Sequence, residues 1–192
     1  MYGWYAWKRN WTWQRRRSKT KLGQEGENVK EILVVGGGAA GIAAALSAAE
    51  AGGRVTILEG LNRPGKKLLV TGNGRCNLGN TQIAPECYHT ARPDRLKVLL
   101  KQMPATLTTD FFERWGLMTM ADEAGRLYPY CRQASMVVDV LLLALQRRGV
   151  TRSAFKCGPD YIDPLFWDRG GFTVKISQGS RWRSDALILA AG

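Results

Sequence analysis

Apolar side chains change their spacing along this chain in a way that separates strands from helices. Ile32, Leu33, Val34 and Val35 are consecutive and largely β-branched, as expected of a parallel strand buried on both faces, so residues 30–35 are predicted to be a strand. Three glycines interrupt the run. Residues 39–51 are then alanine-rich and strongly helix-forming, until Gly52-Gly53 ends the helix. Arg54–Glu59, with Val55, Ile57 and Leu58 as its apolar members, reads as a second strand. Strand, helix and strand together make a βαβ unit of roughly 30 residues.

The pattern then loosens. Residues 60–80 form a glycine-rich polar loop containing Gly60, Gly65, Gly72, Gly74 and Gly79. Residues 94–103 and 108–115 read as two helices, the second with Phe111, Phe112 and Trp115 on one face, a stripe that suits core packing. Residues 117–120 and 126–128 are expected to pair as a hairpin around 122–125. Residues 133–148 carry Met136, Val137, Val140, Leu141 and Ala144 at helical spacing, with a basic last turn closed by Gly149. Val150 begins another strand. Phe172, Val174 and Ile176 alternate with polar residues, Gln178-Gly179 makes a turn, and Trp182 starts the return strand. Residues 186–190 read as a further buried strand.

Charge alters this picture at one end only. The formal charge is +12, and residues 1–30 supply eight basic side chains against two acidic ones. Trp4, Trp7 and Trp11 lie among them at helical spacing. Residues 1–28 are expected to be a disordered leader or translated upstream sequence. The alternative, an amphipathic patch for a membrane surface or nucleic acid, requires salt-dependent binding that disappears when 1–28 are deleted. No stretch approaches about 18 consecutive apolar residues, so no membrane span is expected. Cys76, Cys87, Cys131 and Cys157 are widely spaced without a CxxC pair, and His89 is the one histidine, which leaves no zinc pattern. A reduced, cytoplasmic protein fits these features.

The chemistry begins at Gly36, Gly38 and Gly41, a G-x-G-x-x-G placed after a strand and opening a helix. Gly36 allows the tight turn, Gly38 lets a pyrophosphate approach the backbone, and Gly41 allows close helix–strand contact. The phosphates would rest on free N–H groups at the helix N-terminus, where the dipole favours anions. Glu59 ends the second strand, where a carboxylate accepts hydrogen bonds from ribose hydroxyls and repels a 2′-phosphate, which disfavours NADP. Both NAD and FAD use this unit. An NAD domain would proceed to another helix and strand, whereas a long glycine loop suits an extended cofactor. Amides freed by Gly72 and Gly74, with the charge of Arg75, could bind phosphate or a flavin edge.

The motif GGGAAG, the strand-terminal Glu59, and GKKLLVTGNGRCN at 65–77 together resemble the NAD(P)/FAD-dependent oxidoreductase family, YhiN/BaiN-like or aminoacetone-oxidase-like. Gly125-Arg126-Leu127-Tyr128-Pro129, Gln133-Ala134-Ser135 and the closing LILAAG agree with it. The resemblance covers residues 31–192. It implies an α/β fold, a Rossmann-like FAD/NAD(P)-binding domain of the glutathione-reductase type, over residues 29–192, with 81–132 a helical and hairpin excursion. It also implies that Gly36, Gly38, Ala39, Ala40 and Gly41 hold the pyrophosphate of FAD and Glu59 the ribose. Lys67, Thr71, Gly72, Asn73, Gly74, Arg75, Cys76 and Asn77 would lie along the cofactor toward the isoalloxazine. The adenine-contacting backbone should fall near 157–162, where the sequence departs from the family pattern and is left unassigned.

Cys76 is open to two readings: a thiolate stabilised by Arg75 that reacts with flavin, or a small residue shaping the loop, and the absence of a resolving partner favours the second. Arg126 fits a substrate or a carboxylate elsewhere equally well, and His89 suits a loop surface. Family members are longer, and the chain stops where a glycine turn normally follows the last strand, so an incomplete FAD domain is expected. The expected function is hydride transfer through flavin to or from a small-molecule substrate, with NADH, NADPH and oxygen open as redox partners. The alternative is a non-catalytic nucleotide-binding remnant.

Overall fold

The computed structural model describes residues 29–154, 166–168, 170–175 and 181–191. Strand β1 (Glu31–Val35), helix α1 (Ala39–Glu50) and strand β2 (Arg54–Glu59) realise the βαβ unit. They belong to a parallel sheet whose other members are β6 (Thr151–Ala154) and β10 (Ala186–Leu189), in the order β10-β1-β2-β6. β1 pairs with both β2 and β10, so the chain leaves the sheet at the end of β1 with neighbours on either side. That crevice, outside the carboxyl ends of the strands, is where open α/β sheets bind ligands.

Side-chain alternation explains why β1 is apolar at every position. Ile32 and Val34 face one side and pack with Ile42, Ala45 and Leu46 of α1 and with Val137, Leu141 and Leu145 of α4 (Ala134–Arg147). Leu33 and Val35 face the other side and pack with Leu58, Val174, Trp182 and Leu187. Val174 and Trp182 come from an antiparallel meander, β7 (Phe166–Asp168), β8 (Gly171–Lys175) and β9 (Arg181–Ser184). The sheet is thus the middle of three layers, and a strand with two buried faces needs an unbroken apolar run. At the opposite end of the sheet from the crevice, Asp185 accepts a hydrogen bond from the Glu31 N–H at 2.7 Å, and Glu31 pairs with Arg54.

Between β2 and α4 lies the excursion. Its short strands β3 (Gly79–Asn80), β4 (Thr119–Ala121) and β5 (Arg126–Pro129) pair antiparallel in the order β3-β5-β4. Helices α2 (Pro93–Gln102) and α3 (Ala105–Arg114) precede β4. Phe111, Phe112 and Trp115 pack against the main core in edge-to-face contact, as their spacing predicts. Glu50 at the end of α1 bonds Arg114 at 3.2 Å and Arg148 at 3.3 Å, which ties α3 to the sheet-covering helices.

Two expectations need correction. The glycine-rich loop expected over 60–80 carries regular structure: Lys66–Gly74 winds into 3-10 turns broken at Thr71, and 79–80 forms a strand. The strand at 186–190 is only half-buried, with Leu189 63% exposed, because β10 has a single partner, β1, among the described residues. The leader at 1–28, the adenine-side segment at 157–162 and the turn at 178–179 lie outside the described residues.

Candidate dinucleotide-binding site

The three motif glycines sit in three different environments. Gly36 has φ +103°, and a Cβ there would lie 2.5 Å from the Ala190 carbonyl oxygen, so only glycine lets the chain turn between β1 and the end of β10. A Cβ on Gly41 would overlap the Gly36 carbonyl, so glycine is what allows α1 to lie this close to the loop. Around Gly38 nothing stands within 4 Å of where a Cβ would be. Gly38 is also the N-cap of α1, no side chain caps this helix, and Ala39 and Ala40 are exposed. Open space in front of an uncapped helix N-terminus is the cradle a pyrophosphate needs: N–H groups and dipole without a blocking side chain.

Glu59 closes the other side of that corner. Its Oε2 accepts the Gly37 N–H at 2.6 Å and its Oε1 accepts the Leu61 N–H at 2.7 Å. An ionised carboxylate has roughly four acceptor positions, so each oxygen retains a lone pair for a hydroxyl. The open, uncapped end of α1 and the acceptor oxygens of Glu59 suit the chemistry of an adenosine dinucleotide. The Gly37 carbonyl in turn accepts the Gly65 N–H at 2.7 Å, and Pro64 and Gly65 are buried behind the glycine loop. Sequence reasoning missed Gly37, Leu61, Pro64 and Gly65 as parts of the site. The Pro64-Gly65 pair five residues after Glu59 was the available signal for a tight turn there.

The segment proposed from sequence to run along the cofactor is more self-contained than expected. Thr71 Oγ1 donates to the Leu68 carbonyl at 2.7 Å, the Cys76 N–H to the Thr71 carbonyl at 2.9 Å, and the Arg75 N–H to the Gly72 carbonyl at 3.2 Å. The amides of Arg75 and Cys76 are therefore used within the loop. Asn73 and Cys76 both carry positive φ, 58° and 59°, which the surrounding contacts must hold in place. The segment packs against α4. Lys67, Asn73, Gly74, Arg75 and Asn77 are exposed, and Asn77 Oδ1 accepts the Gly79 N–H at 3.0 Å.

Of the two readings of Cys76, the structure agrees with the favoured one, a small residue shaping the loop, and not with a thiolate paired to Arg75. The Arg75 guanidinium lies over the Tyr128 ring, 4.9 Å from its centroid, and its Nε donates to the Gly72 carbonyl. Cys76 is 1% exposed, and burial pushes its thiol pKa up, only partly offset by a hydrogen bond with Thr71. A raised pKa means less thiolate at neutral pH. Iodoacetamide at pH 7.5 should therefore modify exposed Cys87 and Cys131 at least tenfold faster than Cys76, read by peptide mass spectrometry, and equal rates would refute this burial. Arg126 pairs with Asp122, Nε to Oδ2 at 2.8 Å, and His89 lies on an exposed loop.

A groove of about 380 Å³ at the α2–α3 junction, lined by residues such as Ile83, Leu100, Met103 and Pro104, shares no residue with the glycine corner. Among the described residues no cluster of His, Cys, Asp and Glu could hold a metal ion, and no helix is long and apolar enough to cross a membrane.

Residues 30–192 match the model of the HI0933-like protein Rossmann domain. The chain belongs to this family. The family is one of FAD-binding oxidoreductases, in accord with the resemblance carried by GGGAAG and GKKLLVTGNGRCN. The chain is 38% identical to the 3-dehydro-bile acid delta(4,6)-reductase of Clostridium scindens, over 85% of its own length and 39% of the relative's. It is 28% identical to the ribosomal RNA dihydrouridine synthase of Escherichia coli, over 84% of its length and again 39% of the relative's. The chain thus spans about two fifths of these relatives. Among solved structures, Thermovibrio ammonificans THI4 superposes with a TM-score of 0.54 at 14% identity, covering 85% of this chain and 57% of that one, which shows a shared fold.

Proposed function

We propose that residues 29–192 are the FAD-binding portion of a flavoprotein oxidoreductase that acts on a small molecule. The observation that carries this reading is the corner at the end of β1: an uncapped helix N-terminus with open space over Gly38, faced by the Glu59 carboxylate. Gly36, Gly38, Ala39, Ala40 and Gly41 would hold the pyrophosphate, Glu59 the ribose hydroxyls, and the segment from Lys67 and Thr71 to Asn77 the flavin side. FAD, when bound, supplies a reversible hydride acceptor and donor. The protein's contribution is to bind the dinucleotide, exclude a 2′-phosphate through Glu59, and orient the flavin.

The names of the two curated relatives suggest a narrower reaction. Both denote adding hydrogen across a carbon–carbon double bond, in a steroid acid and in a uridine base. For this chain's parent reaction we propose the same class: hydride to one alkene carbon, a proton to the other, with NAD(P)H as the reductant. Cys76, Cys87 and Cys131 are free, which accords with a reduced, cytoplasmic setting.

Titrating the purified chain with FAD, followed by flavin fluorescence, tests the cofactor assignment. FAD should saturate one site, and NADP⁺ should compete at least tenfold more weakly than NAD⁺ because its 2′-phosphate meets Glu59. A folded chain that fails to bind FAD overturns the proposal. The alternative is a non-catalytic nucleotide-binding module without bound flavin, which would purify colourless and leave FAD fluorescence unchanged in the titration.

A further inference from the structure

Glu59 is joined to Cys76 by a hydrogen-bonded relay that crosses three separate segments of the chain. Its Oε2 accepts the Gly37 N–H at 2.6 Å. The Gly37 carbonyl accepts the Gly65 N–H at 2.7 Å, and the Gly65 carbonyl accepts the Leu68 N–H at 3.0 Å. The Leu68 carbonyl accepts Thr71 Oγ1 at 2.7 Å, and the Thr71 carbonyl accepts the Cys76 N–H at 2.9 Å. Each residue in the middle uses one group to receive the chain and another to pass it on.

The first links have little freedom to shift. A Cβ on Gly37 would meet Glu59 Oε2 at 2.7 Å and the Pro64 Cβ at 3.0 Å, so the carboxylate and the proline enclose this glycine. Gly65 has φ +73°, and a Cβ there would sit tight against Val138 of α4 at 3.3 Å and in ordinary contact with Ile42 of α1 at 3.5 Å. Gly65 is also the N-cap of the 3-10 turns at Lys66–Gly74, so its placement sets where those turns begin. Arg63 bonds Asp139 of α4 at 2.7 Å just before it, but both side chains are largely exposed, and such a pair contributes little. A backbone restraint on the start of the loop is the bond to the Gly37 carbonyl, and the N–H of the same residue is held by Glu59.

We propose that Glu59 is a positioning residue for the loop at 65–77 as well as a ribose contact: through Gly37 and Gly65 it sets the register of the flavin-side loop as far as Cys76. This rests on the FAD reading for its meaning in catalysis, but not for its geometry. A ligand that binds the ribose hydroxyls at Glu59 then acts on a group bonded to the phosphate loop at Gly37, whose carbonyl in turn accepts from the flavin-side loop at Gly65. The adenosine half and the flavin half of the cofactor are read by one connected backbone.

Glu59→Gln tests this. A glutamine has one acceptor oxygen and one NH₂, so it cannot accept from both Gly37 and Leu61, and one of the two bonds is replaced by opposed donors. In the full chain without FAD, amide exchange over 66–77 should rise about tenfold, while peptides from α1 and α4 keep their protection. Alkylation of Cys76 should accelerate by a similar factor relative to Cys87 and Cys131. At saturating FAD, the visible circular dichroism of the isoalloxazine should differ from that of the parent chain, a change that losing a ribose contact alone would not cause.

Unchanged exchange over 66–77 with unchanged Cys76 labelling, in Glu59→Gln and in Glu59→Leu, which leaves Gly37 no acceptor, overturns the proposal. A uniform rise across α1, α4 and the loop overturns it as well, since Glu59 would then support the whole fold. If Glu59→Gln does not fold, Glu59→Asp, which keeps the charge but falls short of Gly37, should show the same loop-confined change. Absence of FAD binding by the parent chain would defeat the proposed function, while the exchange and labelling results would still decide this inference.

Discussion

An aspartate in place of Gly38 is expected to lower FAD affinity about 100-fold or more, roughly 2.7 kcal/mol, without destabilising the chain. Gly38 has φ −72° and ψ −173°, an extended conformation open to any residue, and no atom lies within 4 Å of its would-be Cβ. Aspartate is also among the best N-caps, and α1 has no side-chain cap. Gly38→Asp should thus stabilise the cofactor-free chain by about 1 kcal/mol. That corresponds to about 2–4 °C in melting temperature. The same carboxylate would occupy the space and the N–H groups that a pyrophosphate requires, and would add charge of the same sign. Stability and cofactor affinity should therefore move in opposite directions, measured by calorimetry and by FAD titration. A variant that binds FAD as tightly as the parent would show that the phosphates do not sit at α1.

Three residues further on, the same backbone loop should respond in the opposite way. Gly41→Ala adds a methyl group that would overlap the Gly36 carbonyl, at a fully buried position between α1 and the turn. Alanine has the better helix propensity by about 1 kcal/mol, but overpacking of a rigid backbone contact costs more. The net expected loss is about 2 kcal/mol, or about 4–8 °C in melting temperature for a chain of this size. FAD affinity should fall with it, because Gly36 and the N-terminus of α1 would be pushed apart. A melting temperature equal to that of the parent would mean that α1 does not lie this close to the turn. The contrast between positions 38 and 41 follows from their surroundings and matches the different roles their places in the motif predict.

Much of the α/β frame was legible because its signals are local. The unbroken Ile32-Leu33-Val34-Val35 run, the alanine-rich stretch after it and the strand ending at Glu59 each differ in period from their neighbours, and the structure forms each close to its expected limits. The hairpin of β4 and β5 and the helix α4 followed from the same reasoning. The segment at 66–74 was not legible as structured. Its glycines suggested an open loop, yet it winds into 3-10 turns because Thr71, Gly72 and Gly65 supply hydrogen-bond partners from within and Gly37 supplies one from outside. The exposure of Leu189 was hidden for a related reason: an apolar run looks the same in a central strand and in one with a single partner.

The sequence by itself determined the composition of the site: glycines at 36, 38 and 41, a carboxylate at 59, and a second glycine-rich segment beginning at 65. It also determined the family to which the chain belongs, since those motifs need no coordinates to be recognised. The motif spacing already gave Gly38 to a ligand and Gly41 to packing, and tertiary structure supplied the atoms that surround each. That structure turned Arg75 onto Tyr128 and away from a thiolate role, and buried Cys76. It also brought Gly37 between Glu59 and Gly65, 22 residues from the first of these in sequence. The physical reason is common to all of these. Local sequence sets backbone preference and hydrophobic period, whereas hydrogen-bond partners and free volume depend on chain segments that meet only when the sheet and its helices have packed.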